Sequence, residues 1–422
     1  MANAAAKRQP QKATKAKKEK KQGALSQIFA VGSFDVPFLL LTMVILTIGL
    51  VMLFSASYTD AYYNRRGDSA FYFKRQLIFA VLGIAAMLGV SKIKYDYFKL
   101  AAVFAMPVAW VLLVIVLIIP PYFKDFHRWI YIGNFTFQPS EIAKLAIIMF
   151  CAWGMEKNRK KIIGKTINQS GISKKIEEIT NGKIVVYDSF VQLCFFGGII
   201  AVTAVLVYLE NHVSGTLLIL AIGVVMLFLG EFKKHWFIII AVIGVLAIIF
   251  VITNPEILEK YAGARITAWL DKDYQPRGAR WQTNNSLYAI GSGGLFGVGL
   301  GNSKQKHLYV SEPQNDFIFS IVCEELGFVG AAVIILLFAL LVWRGIVIGL
   351  KAKDRFGALL TMGIVFQVGL QTALNIGVVT DTLPNTGISL PFFSYGGTSL
   401  LMLLAEMGMV LSVSRYSNLT KN

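Results

Sequence analysis

The sequence predicts an all-α polytopic integral membrane protein of about ten transmembrane helices, with cytoplasmic N- and C-termini and a large extracellular loop before helix eight. Three observations predict it. Of 422 residues, 55% are hydrophobic and 15% charged, against roughly 25% charged in soluble domains. The apolar residues gather in runs of about 17–25, the length a helix needs to cross a bilayer. The basic residues concentrate in alternate intervals between those runs, as the positive-inside bias of cytoplasmic loops requires.

The runs fall at 36–57, 76–91, 98–120, 140–156, 189–208, 213–230, 236–253, 317–343, 356–380 and 396–414. The first follows a tail carrying Lys7, Arg8, Lys12, Lys15, Lys17, Lys18, Lys20 and Lys21. Its apolar core is longer than the roughly 7–15 residues of a signal peptide, so it reads as a retained helix. Residues 1–34 then form a basic cytoplasmic tail expected to be disordered, 35–415 the membrane domain, and 416–422 a short cytoplasmic tail. An even number of crossings puts both ends on one side. The tails and the loops near 92–99, 157–188, 231–235 and 344–355 hold most of the 41 Lys and Arg, which makes that side cytoplasmic. The net charge of +17 is accounted for by these flanks, so no nucleic-acid partner is expected. Cys151, Cys194 and Cys323 lie in apolar runs without CxxC or His-rich spacing, which argues against a disulfide framework or a metal site.

Two loops stand out. Segment 157–188 is polar and basic, an insert that would face water or lipid headgroups. Segment 254–315 is longer than a linker needs, and its Trp269, Tyr274, Trp281 and Tyr288 argue against disorder. Inside it, GSGGLFGVGLGN at 291–302 lacks the Lys-Ser/Thr ending of a phosphate loop and a βαβ context, and reads as a flexible part of the loop.

An ionisable side chain within or beside a membrane span is costly and marks function. HRWIYIGNFTFQPSEIAKL places Arg128 and Trp129 before span four and Glu141 and Lys144 at its start, three residues apart on one helix face. Glu141 also suits a helix start, and Trp129 suits the interfacial belt. Lys144 opposes the helix dipole and needs another reason. Asp316 sits where the long loop enters span eight. It reads either as an N-cap or as a carboxylate open to an outer cavity near Arg128 and Lys144. A carboxylate with cations is the pairing that deprotonates a hydroxyl while holding a phosphate leaving group. Glu324, Glu325 and Glu406 lie within spans and would equally serve a transporter.

The stretch LPNTGISLPFFSYGGTSLL, residues 383–401, looks like a cell-wall sorting signal cut after Thr386. Nine spans precede it, however, whereas a detachable anchor follows a secreted domain. Pro384, Gly387, Pro391, Gly396 and Gly397 break helices, and non-helical backbone at membrane depth survives only in protein or along a cavity. Ser394, Tyr395, Thr398 and nearby N–H groups are then candidates to contact a polar headgroup.

RWIYIGNFTFQPSEIAK (128–144), SLYAIGSGGLFGVGLGNSKQKHLYVSEPQNDFIFSIVCEELG (286–327) and LPNTGISLPFFSYGGTSLL resemble, in this order, the SEDS family of polytopic membrane proteins, which includes FtsW, RodA and SpoVE. The wording is nearer FtsW and SpoVE. The resemblance implies a peptidoglycan glycosyltransferase that polymerises lipid II into β-1,4 glycan with release of undecaprenyl pyrophosphate. It also implies a class B penicillin-binding protein and other divisome proteins as partners, at the septum of a bacterial cytoplasmic membrane. By motif position Asp316 corresponds to the family's essential acidic residue, and Trp129 and Lys144 to functional positions. Arg128, Glu141, Gln314, Ser394 and Tyr395 are expected to bind substrate. No nucleotide cofactor is implied; a divalent cation, Mg2+ or Mn2+, at Asp316 is left open. The chain departs from the pattern at Gln314 and Asn315 before the key Asp, at Thr136, where FtsW-type sequences often carry a basic residue, and in the length of 157–188. The competing expectations are a lipid II flippase, an elongation- or sporulation-type polymerase of the same family, and a non-catalytic scaffold for division proteins.

Overall fold

The computed structural model describes residues 32–119, 128–132, 135–163, 175, 178–179, 188–254, 264–275, 277–278 and 280–417. Of the tail 1–34 expected to be disordered, residues 1–31 lie outside those described, as does most of the 157–188 insert. Each apolar run predicted from the sequence lies on a helix, but for one or two residues at an end. In chain order these are α1 (Val36–Asn64), α2 (Phe71–Ser91), α3 (Tyr95–Ile118), a hairpin of β1 (Ile130–Ile132) and β2 (Phe135–Phe137), α4 (Pro139–Lys157), the short α5 (Arg159–Ile163), α6 (Asp188–Leu209), α7 (Val213–Leu229), α8 (Lys234–Thr253), α9 (Ala264–Leu270), α10 (Trp281–Gly293), α11 (Ile318–Leu350), α12 (Arg355–Val379) and α13 (Gly397–Ser414).

Among the described residues seven helices (α1, α2, α3, α6, α11, α12 and α13) are long and apolar enough to cross a membrane, so the chain is a multi-pass membrane protein. The other three predicted spans are helical as well: α4 and α7 fall short of that measure, and α8 runs over 20 residues. Helix α4 carries Glu141, Lys144, Glu156 and Lys157, α7 has 17 residues, and α8 is apolar over Lys234–Leu246.

Local signals set the helix starts. Asp35 accepts from Phe38 N at 2.9 Å and caps α1, with a proline in its first turn; Asp354 does the same for α12 through Gly357 N at 2.9 Å. At one end of the bundle the Arg344 guanidinium grips the Asp35 carboxylate at 3.0 and 2.6 Å, and Ser414 Oγ accepts from Asp35 N at 3.0 Å. Arg415 there donates to Gly32 O and Ser91 O. The two described ends of the chain therefore lie together.

The opposite end gathers the α1–α2 turn, the β hairpin, the α6–α7 turn, the start of α11, the end of α12 and the segment leading into α13. Buried Phe38, Phe196, Phe317, Phe356 and Phe393 fill the interior. Leu82, Phe104, Val205 and Phe228 point outward, as suits a surface solvated by lipid.

Helix α11 is broken at Gly327, whose φ of 67° and ψ of −171° suit only glycine. The glycine-rich 291–302 segment, expected to be flexible, packs into this break. Val298 N and Gly299 N donate to the carbonyls of Glu324 and Glu325, both at 3.0 Å, while Phe328 N and Val329 N donate to Gly294 O and Leu295 O at 2.9 and 3.1 Å. The loop satisfies the backbone groups that the break leaves free, which burial in an apolar bundle demands. Glu324 and Glu325 are held by the same loop. Glu325 accepts from Lys306 Nζ at 2.9 Å and Ser55 Oγ at 2.7 Å, and Glu324 from Lys304 N at 2.9 Å and from Ser303 Oγ. These two carboxylates, which in the sequence keep the competing transporter reading open, are both bound by this loop.

Candidate active site

The β hairpin pairs Ile130 with Phe137, so Arg128 and Trp129 leave one strand beside Gln138 at the entrance to α4. The start of α4 turns Lys144 into the bundle, 4% exposed. Its Nζ lies 2.9 Å from Glu141 Oε1 and 3.4 Å from Gln371 Oε1 on α12. Ser399 Oγ at the start of α13 donates to Glu141 at 3.0 Å. The buried cation is held by Glu141 on its own helix and Gln371 on α12, and Ser399 on α13 in turn fixes Glu141.

Asp316 lies two residues before α11. Its backbone oxygen accepts from Asn375 Nδ2 at 2.8 Å, and the same amide donates to Ile388 O at 2.6 Å, so one α12 side chain ties the aspartate's backbone to the 383–395 segment. Gly387 in that segment has φ +70°, and a Cβ there would stand 3.0 Å from Asp316 Oδ2. The glycine of LPNTG is thus the floor against which the carboxylate rests. Among the described residues no hydrogen bond or ion pair engages that carboxylate.

A cavity of about 1370 Å3 opens over these groups, lined among others by Arg128, Trp129, Thr136, Glu141, Lys144, His212, Asp316, Gln371 and Tyr395. Burial first, and then Glu312, raise the Asp316 carboxyl to about 6, with Arg265 and Arg128 acting the other way. Burial and Arg265 lower Arg128 to about 10, still cationic at neutral pH; its guanidinium donates to Asn211 O. Burial, with Arg128 and Lys144, lowers His212 to about 3, so its ring is neutral beside Ser140 Oγ at 3.4 Å.

Of the predicted site residues, Asp316, Arg128, Trp129, Glu141, Lys144 and Tyr395 share this cavity, although they come from four separate segments. Gln314 and Ser394, expected to bind substrate, do not line it. The Gln314 amide donates to Asp60 at 3.3 Å and its backbone oxygen accepts from Tyr395 N at 2.8 Å. Ser394 Oγ donates to Asn315 O at 2.8 Å and accepts from Leu390 N at 2.7 Å. Both side chains face inward and fasten the loop behind the site.

The described residues of the 254–315 segment pack onto this end. Trp269 Nε1 donates to Asp381 O at 3.1 Å, Arg280 pairs with the Asp381 carboxylate at 2.5 Å, and Ser286 Oγ donates to Val379 O at 2.8 Å. Sequence reasoning missed Arg265, which reaches Asp316 and Arg128 electrostatically, as well as Arg65, Tyr72, Arg75, His212 and Gln371. The basic and aromatic text RRGDSAFYFKRQ at 65–76 carried a signal for three of them.

For a divalent cation the donor set is thin: among the described residues no group of three or more His, Cys, Asp or Glu is gathered. A Mg2+ or Mn2+ at Asp316 would draw its remaining oxygens from substrate phosphates and water, the habit of magnesium at phosphate-handling sites.

The fold and cavity define a multi-pass membrane protein with a carboxylate set among cations at one end of its helix bundle. Residues 36–419 match the cell cycle protein family that groups FtsW, RodA and SpoVE, and the chain belongs to that family. It is 37% identical over 385 residues to stage V sporulation protein E of Bacillus subtilis, covering 91% of this chain and 97% of that one. It is 34% identical to the probable peptidoglycan glycosyltransferase FtsW of Trichlorobacter lovleyi, covering 92% and 95%. Among solved structures it superposes on a chain of a peptidoglycan synthase complex with a TM-score of 0.69 at 23% identity, covering 90% of this chain and 98% of that chain. The rod shape determining protein RodA of Thermus thermophilus gives 0.61 at 24% identity, covering 91% and 98%.

Proposed function

We propose that this chain is an inverting peptidoglycan glycosyltransferase that polymerises lipid II. The observation that carries the reading is Asp316: an unengaged carboxylate, raised toward neutrality, in one cavity with Arg128 and Lys144. A general base works best with a pKa near the operating pH. The acceptor GlcNAc 4-hydroxyl attacks C1 of the donor MurNAc; its proton passes to Asp316, the new C1–O bond forms, and the bond from C1 to the diphosphate oxygen breaks. The diphosphate leaves with the electron pair and is stabilised by Arg128 and Lys144. An α-linked donor becomes a β-1,4 product in one displacement. Trp129 offers a sugar-stacking face, and Glu141 holds Lys144 in place. Tyr395 borders the acceptor.

The Asp316 end is assigned to the outer face of the cytoplasmic membrane and both termini to the cytoplasm, in keeping with the basic loops of the other end. The membrane domain spans 35–415, with 1–34 and 416–422 as tails. A class B penicillin-binding protein is the partner that would cross-link the strands. The naming of several relatives as FtsW favours a role in division, at the septum with other divisome proteins; the likeness to a sporulation protein favours the same chemistry at another site of wall synthesis.

The test is polymerisation of labelled lipid II in detergent by the purified chain with its cognate penicillin-binding protein, comparing wild type with Asp316→Asn. Glycan strands from wild type and a loss of about 100-fold or more in the variant are expected for removal of a general base. Equal polymer from both would take Asp316 out of the chemistry. Movement of lipid II between leaflets without polymer would make the protein a flippase.

A further inference from the structure

The reaction joins two substrates that each carry a polyprenyl diphosphate, and only the donor's leaves. Arg128 and Lys144 belong to the part of the cavity built by the hairpin and α4. Another part is built by the α1–α2 turn and α2 itself: Arg65, Phe71, Tyr72, Arg75, Ile78 and Phe79.

There the Arg65 and Arg75 guanidinium carbons stand 5.0 and 4.5 Å from the centroid of the same Phe71 ring. Arg65 also lies 5.6 Å from the Tyr72 ring and donates to its hydroxyl at 3.4 Å. Tyr72 in turn packs edge-on against Tyr395 at 4.9 Å, next to the α13 entrance. Of the nearby acids, Asp68 pairs with Lys74 at 2.9 Å, and Asp60 accepts from Asn64 at 2.7 Å and Gln314 at 3.3 Å and also acts on the Tyr72 hydroxyl. Among the described residues neither guanidinium has a carboxylate partner. Two like charges gathered on one aromatic ring beside the cavity make an electropositive spot that an anion entering it would neutralise.

The surroundings specify that anion. Ile78 and Phe79 follow Arg75 by three and four residues on α2, so an apolar surface continues one helical turn deeper on the same face. A ligand with an anionic head at the turn and a hydrocarbon chain running along the helix matches both. The paired, planar donors suit phosphate oxygens.

We infer that Arg65 and Arg75, braced by Phe71 and Tyr72, form a second diphosphate subsite that holds the head of the acceptor lipid while Arg128 and Lys144 hold that of the donor. The inference rests on the polymerase reading. It gives the cavity two anion sites that share Asp316 between their substrates, and it removes the need for one cation pair to neutralise two mutually repelling diphosphates.

The full chain, reconstituted in phosphatidylcholine nanodiscs, is titrated with undecaprenyl diphosphate and the bound ligand counted by native mass spectrometry. Wild type is expected to bind two per chain, and Arg65→Gln/Arg75→Gln one, that remaining event doubling as the proof that the variant is folded. In polymerisation with the penicillin-binding protein, the same variant raises the half-saturating lipid II concentration by about 10- to 100-fold, the loss expected for charged hydrogen bonds. One ligand on an active wild type, or two on the double variant, overturns the subsite. Equimolar phosphatidylglycerol that displaces one ligand from wild type and none from the double variant would assign the arginines to a phospholipid headgroup instead, and also overturns it. Two ligands on a wild type that makes no polymer would count against the polymerase reading alone.

Discussion

Gly387→Ala isolates the contact between the 383–395 segment and the proposed base. At φ +70° an alanine is strained by about 1–2 kcal/mol, and its Cβ would lie 3.0 Å from Asp316 Oδ2, a few tenths of an ångström inside ordinary carbon–oxygen contact. Relief must come either from the carboxylate swinging away or from the backbone moving. The second path disturbs the bonds from Asn375 to Ile388 O at 2.6 Å and Asp316 O at 2.8 Å. Either path displaces the base, and displacement on the ångström scale costs about 100-fold in rate. The expected result is a fall of about 10- to 100-fold in polymerisation of lipid II, with thermal unfolding lowered only by the strain. Gly387→Asn separates the two effects, because asparagine tolerates the left-handed region yet adds the same Cβ. It should be nearly as slow as the alanine variant. Activity within twofold of wild type in both would refute the contact as a determinant of the base's position.

Polymerisation should rise with pH as one ionisation near 6, since Asp316 acts as the carboxylate; Arg128→Gln should move that limb to higher pH, because Arg128 favours the ionised form, and a pH–rate profile of each protein decides it. Asn375→Ala should slow polymerisation by about tenfold or more while the protein still folds, as it releases the aspartate and the 383–395 segment from a common donor. Lys306→Met should destabilise the bundle by about 3–5 kcal/mol in denaturant titration, by stranding Glu325, and Glu325→Gln added to it should restore part of that loss.

Much of this was legible in the chain. Helix positions follow from solvent: only long apolar runs with internally satisfied backbone cross a bilayer, and each predicted run lies on a helix but for one or two residues at an end. The same reasoning made Arg128, Lys144 and Asp316 conspicuous, because charge beside a span demands an explanation. Direction of side chains was not legible. Gln314 and Ser394 flank Asp316 and Tyr395 in sequence, yet both turn inward to hold the loop. Arg65 and Arg75 were missed in the sequence, because only the α1–α2 turn brings both onto Phe71 and into the cavity. The glycine-rich 291–302 segment looked mobile because its partners are the backbone groups of a helix break that begins at Glu324, twenty-two residues beyond Asn302.

The sequence by itself determined the solvent of the chain, where its apolar helices fall and the residue types available for chemistry, since these depend on composition and local spacing. Tertiary structure decided which of those residues meet. The start of α4, the entrance to α11, the LPNTG segment and the α1–α2 turn are far apart in the chain and converge only because the helices alternate in direction and bring those points to one end of the bundle. Long-range packing also sets burial, and burial raises Asp316 toward neutrality.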